Sequence, residues 1–390
     1  MRIMILNTDY PAFVKWLYTR NPALESRPYE EQLRVRTDSM FALADFYSTA
    51  LRELGHEACD VLINIEPLQK RWAAEHGVRY AKGPWRFRLR RHLAPWPYRR
   101  PDQHWMYDIL EAQVRAYRPD VLYCAAIESV GSEFLRSVKN AYRIAVAQHA
   151  APLVTDDLSE YDLMLSSLPN LVAHFRAQGL KSEYFRLGFG EPVLSRLKPR
   201  KRRLDLAFVG GLAASHERGT QILERLCREH NVAVFGYGKE SLPETSAVRA
   251  ACRGPLWGLD MYQTLRDARI VFNRHIDVAG EFANNMRLYE ATGVGTALLT
   301  DAKRNLADLF APGREVLEYH SADECVELAR YYLEHDGERE AVARAGQQRT
   351  LRAHTWRHRI RELVEILHRH LQHDSKATRH RAAVPCPAPA

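Results

Sequence analysis

The residues with the clearest chemical potential lie in Glu281-Phe-Ala-Asn-Asn-Met-Arg-Leu-Tyr-Glu290, followed by Ala-Thr-Gly-Val-Gly295 and the apolar run Thr296 to Thr300. The pattern predicts a loop, a short helix capped by Asn284 or Asn285, a glycine stop and a buried strand. Arg287 and Glu290 stand three apart and therefore share a helix face. A guanidinium there suits a phosphate, and a carboxylate suits the two hydroxyls of a vicinal diol, so the pair suggests a nucleotide-diphosphate site. Arg287 in the first turn opposes the helix dipole, which an anion held at that helix start would offset. The alternative is an ordinary ion pair on an exposed helix.

Other candidates follow strand signals, as expected where ligands bind beyond the carboxyl ends of a parallel sheet. After Leu204 to Val209 comes Gly210-Gly211-Leu-Ala-Ala-Ser-His216-Glu-Arg218-Gly219, then a helix. Small residues admit a ligand close to the backbone, the helix start offers free amides, and Arg218 adds charge. An ordinary βα turn would read the same way. Arg274, after the strand Ile270 to Phe272, is a second phosphate ligand or a surface arginine. His149, after the strand Arg143 to Ala147, is a base, a contact to the transferred group, or a satisfied loop histidine. Asn7, Asp9 and Tyr10 follow the first strand and would line the same crevice on an acceptor side. Asp9 is equally an Asx-turn residue.

The elements that must position these residues alternate. Ile3 to Leu6, Glu57 to Ile65, Val121 to Ala125, Arg143 to Ala147 and Asp162 to Ser166 read as strands. Helices are predicted over Ser39 to Leu54, His104 to Tyr117, Glu133 to Asn140 and Leu168 to Gln178. Such alternation means βαβ units and a parallel sheet. A basic, proline-containing stretch at 191–203 interrupts the pattern, which restarts at Leu204 and runs to a basic helix from Trp356. The division is residues 1–190, a linker at 191–203, residues 204–355, a helix at 356–373 and a disordered tail at 374–390.

A chain of 390 residues exceeds one ordinary core, which agrees with two domains. Its 46% apolar content is that of a soluble globular protein, with no run near the ~20 apolar residues of a membrane span. No secretory leader is legible, so a cytoplasmic protein is expected. Six scattered cysteines without a CxxC read as free thiols, and no metal site is expected. The net charge of +8 points to an anionic partner. Residues 79–100 interleave arginines with Trp85, Phe87, Trp96 and Tyr98, fitting an anionic acceptor, peripheral contact with an acidic membrane face, or a solvated loop. No nucleic-acid-binding motif is present, and nucleic acid is not expected.

Taken in order, several stretches resemble the GT-B glycosyltransferases, in particular the CgeB-like (spore maturation protein-like) group of the glycosyltransferase 4/1 type. They are Phe208-Val-Gly-Gly211 with Arg218-Gly219, Asn273-Arg274, Asn285-Met-Arg-Leu-Tyr-Glu290 with Gly293 and Gly295, Phe310-Ala-Pro-Gly-Arg-Glu315 and His354-Thr355-Trp-Arg-His-Arg359. Ala44 to Gly55 and Leu180 to Phe189 add to the resemblance in the first half.

The resemblance implies an α/β protein of two Rossmann-like doubly wound domains facing a cleft. The N-terminal domain would take the acceptor, the C-terminal one a nucleotide-diphosphate sugar, and the last helix would cross back to the N-terminal domain. It implies a hexosyltransferase-type activity on a glycan, lipid-linked saccharide or other glycoconjugate, of the kind used in polysaccharide biosynthesis, with no cofactor required. Glu290 matches the glutamate that holds the ribose, and Arg218 the basic residue near the diphosphate. The family's retaining members carry another glutamate eight positions earlier, where this chain has Phe282. Glu281, one residue off, or Asn284 or Asn285 would serve instead. Arg218, Arg287 and the helix dipole would stabilise the departing diphosphate, and His149 would contact the donor sugar or the acceptor. A sugar-nucleotide epimerase or hydrolase, or a non-catalytic binding protein, keeps the same fold.

Overall fold

The computed structural model describes residues 1–81, 85–90, 93–99, 104–153, 157–199, 201–212 and 217–382, excepting the side chains of 85–99, 217–218 and 373–382. Two parallel sheets organise the chain. The first is built from β1 (Arg2–Asn7), β2 (Glu57–Leu62), β5 (Val121–Cys124), β6 (Ile144–Gln148), β7 (Leu163–Ser166) and β8 (Ser182–Tyr184), in the order β2-β1-β5-β6-β7-β8. Strands β3 (Trp85–Arg90) and β4 (Leu93–Arg99) form a separate antiparallel pair within the Arg/Trp-rich stretch. The second sheet joins β9 (Leu204–Val209), β10 (Val232–Phe235), β11 (Ala268–Phe272), β12 (Ala297–Asp301) and β13 (Leu317–Tyr319), in the order β10-β9-β11-β12-β13. Every neighbour within each sheet is parallel, with β1 pairing Ile3 to Val121 and β11 pairing Ile270 to Leu206.

Helices cover both faces of each sheet, which is why the inner strands are apolar throughout. Val121–Cys124 and Leu163–Ser166 are buried at every position, as expected of strands with no solvent face. No described helix is long and apolar enough to cross a membrane.

Among the described residues, three seams join the halves. At the first, the Phe189 amide donates to the His354 carbonyl at 2.8 Å, and the Trp356 amide donates back to Phe189 at 3.0 Å. The last helix, Trp356–Ala382, then returns over the N-terminal half. Trp356 packs 4.8 Å from the Tyr47 ring, and Ile360, Leu363 and Leu367 join the core beside Tyr47 and Leu51. At the second, the Leu259 amide donates to the Ser39 carbonyl at 2.9 Å, beside aromatic packing of Phe13, Phe41 and Trp257. At the third, Ile276, Val278 and Phe282 pack onto the N-terminal core, and Asn170 Nδ2 donates to the Val278 carbonyl at 3.0 Å.

Two expectations change. The helix read over Ser39 to Leu54 is helical only at Phe46–Glu53, because Met40, Ala42 and Ala44 have φ of 56°, 52° and 44°. Left-handed backbone ends a right-handed helix, and three such residues so close together form a strained connector. The tail expected to be disordered from residue 374 continues as helix to Ala382, and residues 383–390 lie outside the described residues.

Candidate functional site

The cleft is floored by the carboxyl ends of the two sheets, and the candidate residues divide between them. On the C-terminal side the central element is the helix Met286–Gly293. Asn285 caps it, its side chain accepting from the Leu288 amide, while its Nδ2 donates to Asn273 Oδ1 at 2.8 Å and to the Arg274 carbonyl at 3.0 Å. The cap thereby locks the helix start to the end of β11. Asn284 is buried next to it.

Arg287 and Glu290 do meet across this helix, at 2.7 Å, but the expected arrangement is corrected in two respects. Arg287 does not lie on an exposed face. Glu290 is buried, Arg287 is largely so, and the two face each other. Arg287 also donates to the Val209 carbonyl at 3.0 Å, which explains a cation in the first turn without an anion. The pair is nevertheless incomplete. Arg287 Nε is buried without a hydrogen-bond partner among the described residues. Among the described residues, Glu290 receives only Arg287 and, at a long 3.3 Å, the Tyr262 hydroxyl. Burial, and then the charge of Glu290, hold the Tyr262 pKa well above its ordinary value, so that hydroxyl is a donor. A carboxylate has about four acceptor positions, so Glu290 retains capacity for a diol.

Arg274 braces the Gly210–Gly211 turn. Its guanidinium donates to the Gly211 carbonyl at 2.8 Å and to Thr220 Oγ1 at 2.7 Å, and lies 5.1 Å over the Phe208 ring. Burial pulls its pKa down to about 10, which leaves it charged at neutral pH. Gly219 is needed for this brace, since a Cβ there would sit 2.3 Å from Arg274 Cδ. Gly236 is needed for the turn itself, a Cβ there falling 2.0 Å from the Gly210 carbonyl oxygen. Arg218 is the second residue of the helix Glu217–Glu229, and its side chain lies outside the described residues.

A cavity of about 780 Å³ opens beside Arg274, Asp277, Glu281 and Lys303. Glu281 is exposed, and its loop is fixed from the neighbouring βα turn: Lys303 Nζ donates to the Gly280 carbonyl at 2.6 Å and the Arg304 amide to the Glu281 carbonyl at 2.8 Å. A comparable cavity of about 720 Å³ involves Arg2, Cys59, Asp60 and Tyr117, at the edge strand β2 and the amino end of β1. No candidate residue lines it. No group of three or more His, Cys, Asp or Glu among the described residues could hold a metal ion.

On the N-terminal side His149 follows β6 and is buried, its Nε2 at 2.7 Å from the Ala151 carbonyl. That contact makes Nε2 the protonated nitrogen and Nδ1 the acceptor. Asp9 is corrected. Its carboxylate is fully buried and taken up by Arg36, at 2.6 and 2.8 Å, so it presents no acceptor-binding oxygen. Asn7 Oδ1 accepts from the Thr8 amide, shaping the turn after β1. Tyr10 is 55% exposed and meets Tyr237 and Trp257 of the other half, at 5.8 and 6.1 Å between ring centroids.

Known proteins share parts of this geometry. Residues 217–365 match the family model described as glycosyl transferase-like. No curated protein sequence matches the chain. Among solved structures, AviGT4, a glycosyltransferase involved in avilamycin A biosynthesis, is similar over 95% of this chain and 98% of its own, at 15% identity and a TM-score of 0.57. Anabaena HepE in complex with UDP-glucose covers 94% of this chain and 99% of its own, at 11% identity and a TM-score of 0.58. Sucrose-phosphate synthase from Thermosynechococcus elongatus covers 95% and 98%, at 10% identity and a TM-score of 0.53. The fold is GT-B.

Within the GT-B fold, Phe282 stands eight residues before Glu290 and packs onto the N-terminal core. It is an interdomain contact, and the neighbouring Glu281 carries the exposed carboxylate instead. The sequence reading missed the pairing of His275 with Asp301, whose Nδ1 and Oδ1 lie 2.6 Å apart. The available signal was positional, since both residues sit at the carboxyl ends of adjacent parallel strands. It also missed Tyr237 and Trp257, stacked 6.3 Å apart.

Proposed function

We propose that the chain is a glycosyltransferase that moves a sugar from a nucleotide-diphosphate sugar to an acceptor hydroxyl on a glycan, lipid-linked saccharide or other glycoconjugate. The observation that carries this reading is the incompletely satisfied Arg287–Glu290 pair, set within the glycosyl transferase-like stretch 217–365 of a GT-B fold. In this reading Glu290 accepts from the 2′ and 3′ hydroxyls of the ribose with the capacity left by Arg287 and Tyr262. The Gly210–Gly211 turn admits the diphosphate close to the backbone. Arg218, Arg287 and the helix start at Met286 direct fixed positive charge at the leaving diphosphate, and preorganised charge of this kind lowers the barrier of such a step more than any other single effect. No metal is assigned to that role. Tyr10, Asn7 and His149 border the acceptor side. Membership of the CgeB-like group and a role in polysaccharide biosynthesis are narrower forms of the same proposal. So is peripheral contact of residues 79–100 with an acidic membrane face.

One observation favours a second reading. Phe282 packs between domains where retaining relatives are expected to carry a glutamate, which fits nucleotide-sugar binding, hydrolysis or epimerisation without transfer. Incubation with UDP-glucose distinguishes the two. An isomerised donor, or glucose release that no acceptor diverts or accelerates, supports the second reading, whereas UDP release accelerated by an acceptor supports transfer. A thermal-shift screen of nucleoside diphosphates tests the shared premise: a ligand at 100 times its Kd stabilises the native state by about 2.7 kcal/mol.

A further inference from the structure

Three side chains beyond β11 and β12 form a connected polar chain that the proposed donor contacts do not use. Lys303 Nζ lies 3.2 Å from Asp301 Oδ2, and Asp301 Oδ1 lies 2.6 Å from His275 Nδ1. The His275 side chain is fully buried, and its second nitrogen, Nε2, is buried without a hydrogen-bond partner among the described residues. Native proteins leave few buried polar atoms unsatisfied, and each one invites an explanation. His275 is also one of the residues lining the 780 Å³ cavity, together with Glu281, Asp277 and Lys303.

The chemistry of the chain sets the tautomer. Burial raises the Asp301 pKa, but the hydrogen bond from His275 and its charge, followed by the charge and hydrogen bond of Lys303, outweigh it, leaving the carboxyl below its ordinary value. An ionised Asp301 only accepts, so His275 Nδ1 carries a proton, and in the neutral imidazole Nε2 is the nitrogen left with a lone pair. A carboxylate that fixes one imidazole nitrogen and leaves the other as a base is a recurrent catalytic arrangement.

We propose that His275 Nε2 is the proton acceptor for the acceptor hydroxyl, with Asp301 and Lys303 as positioning residues. The proposal rests on the glycosyltransferase reading and adds its base and its stereochemistry. The acceptor oxygen forms a bond to the anomeric carbon while its proton passes to Nε2. The bond between the anomeric carbon and the diphosphate oxygen breaks, and its electron pair leaves with the nucleoside diphosphate. Asp301 stabilises the resulting imidazolium, which later yields its proton to solvent. One displacement inverts the anomeric centre. Glu281 acting as a nucleophile would instead require two displacements and give retention.

His275→Asn separates catalysis from architecture, because it keeps an N–H donor for Asp301 and removes the Nε2 acceptor. The probes are UDP for binding and UDP-glucose for turnover, with water as the acceptor hydroxyl and UDP release as the signal. His275→Asn is expected to bind UDP within about threefold of wild type and to lose at least about 100-fold in kcat at unchanged KM, a general base contributing about 10²–10⁴-fold. Asp301→Asn is expected to lose at least about tenfold, and the sugar first released by wild type to be inverted. Turnover of His275→Asn within threefold of wild type, an equal loss of UDP affinity, or a retained product would overturn the proposal. An independent readout needs no donor: nitrogen NMR of histidine-labelled protein, with His275 assigned by its absence in His275→Asn. In the neutral imidazole the proton is expected on Nδ1, and a neutral imidazole protonated on Nε2 overturns the proposal even in an active enzyme. Failure of the underlying reading looks different, since wild type would then bind no nucleoside diphosphate whatever the tautomer of His275.

Discussion

The two sides of the cleft each bury a charged pair, and they treat it oppositely. On the N-terminal side Arg36 grips both oxygens of Asp9 and gives a third hydrogen bond, of 3.1 Å, to the Ala44 carbonyl. Asn64 satisfies the Asp9 backbone in both directions, at 2.9 and 2.7 Å. On the C-terminal side Arg287 holds Glu290 through a single short contact, and Arg287 Nε and His275 Nε2 are buried without partners among the described residues. A pair closed on all sides is architecture, pinning the turn after β1 to the strained connector at Met40 to Ala44. A pair with open hydrogen-bonding capacity beneath a cleft retains chemistry for a ligand. On the proposed function, the difference gives substrate charge to the C-terminal half and shape to the N-terminal half.

The contrast is most vulnerable at its closed side. Arg36→Met leaves the Asp9 carboxylate buried and unpaired, and is expected to cost about 3–5 kcal/mol of unfolding free energy, read by urea denaturation. The remaining folded protein should bind UDP normally. A weaker UDP affinity per folded molecule would mean that the closed pair also serves the ligand.

A somewhat smaller effect is expected at the seam that carries the strained connector. Gly258 has φ +53°, and a Cβ there would lie 1.9 Å from the Ser39 carbonyl oxygen. Gly258→Ala should cost about 2 kcal/mol or more through overpacking and left-handed strain. It should also separate the halves at this seam, seen as a change in Trp257 fluorescence. An unchanged spectrum would remove the connector from the interdomain contact.

A third polar centre, at the chain crossing, belongs with the closed class and gives a pH dependence. His354 Nε2 donates to the Leu309 carbonyl at 2.7 Å, and its Nδ1 accepts from Arg359 at 2.6 Å. Burial is the main force pulling its pKa from 6.5 to about 3, with the Arg359 charge acting in the same direction. The folded state thus refuses a proton that the unfolded chain takes. Its contribution to stability is complete above about pH 6.5 and declines as the pH falls toward 3, by up to about 1.4 kcal/mol per pH unit. His354→Gln should flatten that limb of the stability profile relative to wild type, and parallel profiles would contradict the assignment.

Tyr10 should matter least to stability. Tyr10→Ala removes a ring that lies between the two halves yet is more than half exposed. Stability should change by less than about 0.5–1 kcal/mol, while the affinity for an acceptor, once one is found, should fall. A large stability loss would move Tyr10 from the open class to the closed one.

Much of this was legible in the sequence where apolar periodicity governs. The strand Leu204–Val209 and the helix His104–Tyr117 lie where their patterns put them. So does the Asn285 cap, because a capping residue acts within one turn of its own helix. Helix Tyr29–Asp38 escaped because the face it buries is Tyr29, Gln32 and Arg36, which carries no hydrophobic period. Arg287 beside Glu290 was visible as a pair, but burial was not, since that depends on Val209, Met261 and Tyr262 arriving from elsewhere in the chain. The role of Asp9 depended on Arg36, 27 residues away, and that of His275 on Asp301, 26 away. Partners brought together by strand order leave no local signature.

Everything proposed for the C-terminal half depends on its incompletely satisfied charge binding a nucleoside diphosphate through Glu290. The decisive experiment is calorimetric titration of UDP into wild type and Glu290→Gln, because glutamine keeps the shape of the side chain and removes the anionic acceptor. Hydrogen bonds to a charged group are worth about 1.5–3 kcal/mol, so wild type should bind and the variant should bind roughly 10- to 100-fold more weakly at an equal folded fraction. Equal affinities in the two proteins would contradict the assignment of Glu290 to the ribose.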